Sequence, residues 1–456
     1  MDQRQLRTSR RSTLRFIIYA VFVFLVYRLL ASFWTNDAEE FQDTYTPPAS
    51  NNPPHQADQL ENVKEMPAPD LDSNEEPQPI QELNLPWYPK QAKLSTADRI
   101  ELELKASKLA RDEALQVLSE FNIEGIPGTA VKTNEEARAM YAKLDCFTQG
   151  SWVYNPTPRE LLFHLQESLY SKCDKRYERD HKDTDTSEWK VRNELKYIWT
   201  PLDRSQCPLV PVDKSNWCDV MSGRHILLVG DILQFQMHEL LLDSFRDGPA
   251  VCYGELNCKD HTLCSEPEVR MRYLRNDVLS VVRKNPEVPG GHPEMRVVQW
   301  PWITSNVIGR YPVLILNRGA SYVDDDLFRT QLIDTMRVIR TAKMDHLIIY
   351  RSTPIGHPDC DSATAPLEGK PTESELQDLP YHWGDFKRQN LIAKEIVQAA
   401  GGVFIDVAQM TDLRADGHIG GQDCMRYCIP GPLDAWADIL YNVFVLLGKP
   451  ATSKFT

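Results

Sequence analysis

Apolar residues crowd one segment near the start of the chain, Phe16 to Trp34, where 19 residues carry a single charge, Arg28. A helix of that length rises ~28 Å, close to the ~30 Å hydrocarbon core of a bilayer. The pattern then inverts. Between Asn36 and Lys90 there are 10 prolines and 12 acids against two lysines, and no cysteine. Such a stretch buries too little apolar surface to offset chain entropy, and reads as a solvated stem. Helical periodicity begins at Ser95-Thr96-Ala97-Asp98, a capping-box-like start, and runs to Phe121 through Leu102, Leu109, Leu115 and Leu118. Gly125-Ile126-Pro127-Gly128 stops it, and a second helix is predicted from Asn134 to Leu144 behind Thr133.

Beyond Cys146 short apolar runs alternate with amphipathic ones. Predicted strands are His225–Gly230, Pro312–Asn317, His346–Tyr350 and Val403–Asp406. Predicted helices are Leu233–Phe245, Asp326–Thr341, Asp385–Ala400 and Leu433–Leu447. Apolar strands joined by crossover helices imply an α/β fold, a mostly parallel sheet with helices on both faces. Ligands in such folds sit at the carboxyl ends of strands, which marks Gly230-Asp231-Ile232, Asn317-Arg318-Gly319 and Arg351-Ser352.

Charge sets the topology. Five arginines (Arg4, Arg7, Arg10, Arg11 and Arg15) precede the apolar segment against Asp2 alone, which orients an anchor with its N-terminus in the cytosol. The expected order is a cytosolic tail at 1–15, a transmembrane signal anchor at 16–34 and an acidic stem at 35–92. A helical spacer at 93–145 and a luminal domain at 146–450 follow. A cleaved signal peptide is the alternative, with Ala31-Ser32 as the small residues at the cut. The net charge of −14 leaves no basic surplus for phosphates, which argues against nucleic acid as a partner. All 10 cysteines lie beyond the stem, an even number in a non-cytosolic domain, and predict disulfides rather than a metal centre.

Five blocks of residues resemble one known family, in order. They are Leu144–Trp152, Trp199-x-Pro201 leading to Cys207-Pro-Leu209, Gly223–Asp231, Leu316-Asn-Arg-Gly319 and Gln422–Pro432. They resemble the trichome-birefringence-like and PC-esterase proteins, SGNH-type polysaccharide O-acetyltransferases and esterases. The resemblance implies an SGNH-like fold, a type II Golgi protein with a stem, a glycan substrate and an acetyl donor of unspecified identity, with no bound cofactor. It also implies a nucleophilic Ser directly after Gly-Asp and an Asp-x-x-His block near the C-terminus. Transferred here, the nucleophile position is Ile232, the orienting Asp is Asp423 and the His position is Arg426. Gly230, Asp231, Asn317 and Gly319 match the oxyanion and turn positions.

A hydrocarbon side chain and a permanent cation cannot serve as nucleophile and base. The expectation is therefore an impaired or non-enzymatic relative that binds a glycan or partners an active paralogue, with Arg426 paired to Asp423. The alternative is an active O-acetyltransferase or esterase using altered residues: Ser352 with His418 or His357, with Arg351 as a further substrate contact. A purely adhesive module is the third reading. Three side features have bland counterparts: Asp324-Asp325-Asp326 as a helix N-terminus rather than a cation site, Trp300-Pro-Trp302 and Tyr381-His-Trp383 as core or rim rather than sugar platforms, and His238 as a helix-surface residue.

Overall fold

A computed structural model of the protein describes residues 93–156, 173–174, 176–177, 192–246, 251–279, 281, 297–303, 305–421 and 423–449. The tail, the apolar segment 16–34 and the stem lie outside the described residues. Among the described residues no helix is long and apolar enough to cross a membrane.

Among the described residues there are seven longer helices and twelve strands. The helices are α1 (Thr96–Leu118), α2 (Asn134–Thr148), α3 (Lys214–Met221), α4 (Ile232–Phe245), α5 (Asp325–Ala342), α6 (Phe386–Ala399) and α7 (Asp434–Leu447). The strands are β1 (Gly150–Tyr154), β2 (Tyr197–Pro201), β3 (Ile226–Gly230), β4 (Cys252–Tyr253), β5 (Asn257–Cys258), β6 (His261–Ser265), β7 (Glu268–Arg275), β8 (Val313–Leu316), β9 (Leu347–Arg351), β10 (Val403–Ile405), β11 (His418–Gly420) and β12 (Asp423–Tyr427).

The main sheet runs β10-β9-β8-β3-β7-β5-β4, with β6 also on β7. From β10 to β7 every pairing is parallel, and the β4–β6 edge is antiparallel. β3, β8 and β9 are buried along their whole length, which is why they read as apolar runs, broken only by Arg351 at the end of β9. Alternate residues divide between two cores. Ile226 and Leu228 join Ile315, Ile349, Trp217 and Trp436 on the face covered by α3, α4 and α7. Leu227 and Val229 join Leu314, Ile348, Met336 and Ile396 on the face covered by α5 and α6. Each fully buried aliphatic side chain contributes ~1.5–3 kcal/mol, so both faces bind the sheet firmly.

The 93–145 segment is not a spacer. α1 lies against α6, with Ala110, Ala114 and Leu118 buried in the second core. The small Ala side chains let the two helices approach closely. Arg99 donates to Glu373 (3.0 Å) and to the Gly384 carbonyl (3.0 Å), and Arg329 donates to Glu113 (2.7 Å). All described residues fall in one unit, Leu83–Thr456.

The cysteines form Cys146–Cys207, Cys173–Cys428, Cys218–Cys264, Cys252–Cys258 and Cys360–Cys424, with none free. Among the described residues, the cluster with metal-like spacing is His238, Cys252 and Cys258, and its two sulfurs are joined to each other. His238 is fully buried beside His261, Tyr273 and Phe235 rather than on the helix surface. α4 is covered on nearly all sides, which leaves His238 no solvent-facing surface. Asp324 caps α5 through Leu327 N–H (2.9 Å), while Asp325 and Asp326 pair with Arg388 and Arg329. Trp302 and Trp383 are core residues.

Candidate functional site

The site is built where β3 ends and α4 begins. Asp231 is the N-cap: its Oδ1 accepts from Leu233 N–H (3.0 Å) and Gln234 N–H (3.3 Å), satisfying two of the helix's orphan donors. Its Oδ2 accepts from Ala320 N–H (3.1 Å), which ties the β8 loop to the same turn. The Arg351 guanidinium stands 3.5 Å from Oδ1, both side chains being sealed from solvent. Arg351 also donates to Gln234 Oε1 (2.8 Å) and to the Ser352 carbonyl (3.1 Å), and lies over the Trp436 ring. Burial lowers its pKa to about 10, with Asp231 opposing the fall. Gly230 is required sterically, since a Cβ there would lie 2.8 Å from the Asn317 carbonyl. At Gly319 a Cβ would collide with Thr353.

Ile232, the first helical residue, is 3% exposed and packs into the first core. One turn on, Gln236 shares its helix face. Gln236 donates to the Tyr427 carbonyl (2.6 Å) and accepts from Tyr427 N–H (3.2 Å). That double bond lays β12 against the Ile232 face of α4. Arg426, adjacent on β12, donates from Nε to Asp423 Oδ2 (2.5 Å) and from Nη1 to Glu255 Oε1 (2.8 Å). Tyr273 donates to the Asp231 carbonyl (3.1 Å) and stands 3.4 Å from the Glu255 carbonyl, so one tyrosine bridges both halves of the site. Ile232, Asp423 and Arg426 thus share one neighbourhood.

The Asn317 amide has no donor to spare. Its Nδ2 donates to the Arg351 carbonyl (3.2 Å) and to Thr353 Oγ1 (2.8 Å). A carbonyl can only accept, so its position fixes the amide orientation. Asn317 Oδ1 is buried without a partner. The Asn317 N–H groups that an oxyanion would need are spent on the chain itself.

The relocated residues do not assemble. Arg351, Ser352 and His418, expected as substrate contacts, are all buried. Ser352 Oγ accepts from Ala408 N–H (2.8 Å) and donates to the Asp406 carboxylate. His418 and His357 pair with each other, Nε2 to Nδ1 at 2.8 Å, instead of reaching a serine. The remaining ring nitrogens meet carbonyls: His418 Nδ1 the Arg426 oxygen (3.2 Å) and His357 Nε2 the Asp412 oxygen (2.9 Å). Burial holds His357 down to about 4 and His418 well below its ordinary value. Two neutral rings carry two N–H groups for three contacts, so they are committed to holding the fold.

Sequence reading missed Glu255, Tyr273 and Gln236. Gln236 had a signal, four residues after Ile232 on a predicted helix. Glu255 lies in the turn between β4 and β5, and Tyr273 on β7, whose alternating pattern names no neighbour.

Residues 316–443 match the PC-Esterase family, the GDSL/SGNH-like acyl-esterase family found in Pmr5 and Cas1p. Xyloglucan O-acetyltransferase 1 of Arabidopsis thaliana is 22% identical over 310 residues, covering 55% of this chain and 70% of that protein. Xyloglucan O-acetyltransferase 2 is 32% identical over 129 residues, and protein trichome birefringence-like 12 is 32% identical over 97, both from the same plant. These two stretches cover only 28% and 24% of the relatives' lengths. Residues 316–443 thus resemble the PC-esterase domain, and the chain is similar to the trichome-birefringence-like and xyloglucan O-acetyltransferase proteins.

Proposed function

We propose that this protein is an endomembrane glycan-binding member of a polysaccharide-acetylating system, with little or no acyl-transfer activity of its own. The observation that carries the reading is the ion pair on β12: Asp423 is held by Arg426, at the position where the family resemblance calls for a His, while Ile232, at the nucleophile position, is buried in the core. Arg426 stays protonated at physiological pH, so no base is available there, and Ile232 has no atom to attack an ester. The Asn317 bonds support the same reading, because the oxyanion donor is withdrawn as well. Xyloglucan acetylation in the plant relatives suggests a cell-wall or extracellular polysaccharide as ligand. Residues 16–34 would hold the protein in a Golgi or related bilayer, stem and domain luminal, beside an active paralogue that supplies the chemistry. No resident cofactor or metal is assigned.

The test is turnover of p-nitrophenyl acetate and of an acetylated xyloglucan by the full chain, next to the Ile232→Ser/Arg426→His variant. The native protein should release no acetate above the uncatalysed rate. Native turnover at an ordinary enzyme rate, ~1–1,000 per second, would overturn the proposal.

A further inference from the structure

The outer end of the sheet holds a second polar site that the family chemistry does not use. Beyond the carboxyl end of β10 lies a cavity of about 520 Å³, bounded by α2, α6 and the segment after β10. Small-molecule sites typically enclose ~300–1,000 Å³. It lies three strand positions from β3, a lateral offset of roughly 14 Å at the usual strand spacing.

Asp406 and Asp412 form its acidic side. They flank the short helix Ala408–Thr411, which brings two carboxylates six residues apart to one wall. Asp406 Oδ2 accepts from Gln409 Nε2 (2.9 Å), and Asp412 Oδ1 accepts from Ile355 N–H (2.9 Å). Burial raises both acids, and Asp406 pushes Asp412 further, to about 7. Lys370, exposed at the rim, meets Gln409 Oε1 and acts on both carboxylates. The other two lysines are neutralised locally, Lys394 by Asp145 (2.9 Å) and Lys387 by Glu373 and Glu103. Leu391 and Phe404 add apolar wall.

Such a lining selects by hydrogen bonding rather than by charge. An anion would meet Asp406 and Asp412. A divalent cation needs several converging oxygens, and among the described residues these acids do not form a three-ligand group. A sugar hydroxyl both donates and accepts, and an adjacent pair can span one carboxylate. The C–H face of a pyranose suits the Leu391–Phe404 wall.

We propose that this cavity is the chain's saccharide site and takes a neutral, polyhydroxylated sugar unit, with Asp406 and Asp412 as acceptors and Lys370 as donor. The proposal rests on the glycan-binding reading above and deepens it, moving the ligand from the substituted triad to the β10 edge.

The test is calorimetric titration of the full chain with a neutral xyloglucan oligosaccharide and with an oligogalacturonate of equal length. The native protein should bind the neutral probe, and Lys370→Ala and Asp412→Ala should each weaken it about tenfold or more, as loss of a hydrogen bond to a charged group does. Lys370 lies at the rim, so its variant tests the site without disturbing the core. A melting curve checks that each variant is folded. Arg426→Ala should leave this affinity unchanged. Binding that falls with Arg426→Ala and survives Lys370→Ala overturns the cavity proposal and leaves glycan binding at the triad positions intact. Preference for the oligogalacturonate overturns the neutral-sugar assignment. Failure to bind either probe overturns the cavity proposal and removes support for glycan binding altogether.

Discussion

At the end of β3, Asp231, Arg351, Gln234 and Asn317 direct their polar atoms at the protein itself, whereas at the end of β10 Asp406 and Asp412 line open space. Both groups stand at the carboxyl edge of the same parallel sheet, so position alone does not make a site. What differs is what the side chains border. At β3 the donors and acceptors close into a brace among three strand ends, with the Trp436 ring against Arg351. At β10 Asp406 and Asp412 also accept from Gln409, Ser352 and Ile355, but they border a cavity.

Variants can separate the two ends by size of effect. The largest is expected at the brace. Arg351→Leu leaves the Asp231 carboxylate buried without its cation, and loss of one partner from a buried pair costs ~3–5 kcal/mol. Lys394→Ala, which removes the half-buried partner of Asp145 at the cavity, should cost about 1 kcal/mol or less. Urea unfolding midpoints measure both, and equal losses would erase the contrast.

A pH scan sharpens it. Asp412 titrates at about 7 in the fold against 3.8 ordinarily. The folded chain therefore retains a proton that the unfolded chain has released, and stability falls as pH rises from about 4 to about 7, then levels off. Asp406 and Lys370 face the same group, and Asp406 shifts in the same direction. The native protein should lose stability relative to Asp412→Asn across that window. Asp277, held up to about 6 elsewhere, cancels in the difference. A flat difference would mean that the cavity does not desolvate the acid.

The smallest effect is expected at Arg426. Its ion pairs with Asp423 and Glu255 are a fifth exposed, and Arg426→Ala should shift stability by ~1 kcal/mol or less. A shift above 3 kcal/mol would make this cluster part of the brace.

The β10-β9-β8-β3 part of the sheet was legible because its strands are short, largely apolar runs separated by helix-length segments. Every predicted element from His225 to Leu447 is present within a few residues. The pairing of β7 beside β3 was not legible, since EVRMRYLR alternates like a half-exposed strand and nothing local names its neighbour. The docking of α1 was missed for a related reason. Its buried face is made of alanines and Leu118, while Leu104 and Leu115 point to solvent, so the hydrophobic signal marked the wrong side. At the site, Ile232 and Arg426 could be read directly as residue types. The direction of the Asn317 amide and the meeting of Asp406 with Asp412 could not, because both are set by which loops converge after the chain has folded.

The Cys173–Cys428 bond, spanning 255 residues, encloses the whole main sheet in one covalent ring. A single proteolytic nick inside that ring opens a peptide bond without freeing either fragment. A clipped molecule would still migrate at full mass on a non-reducing gel, and only a thiol would reveal the cut.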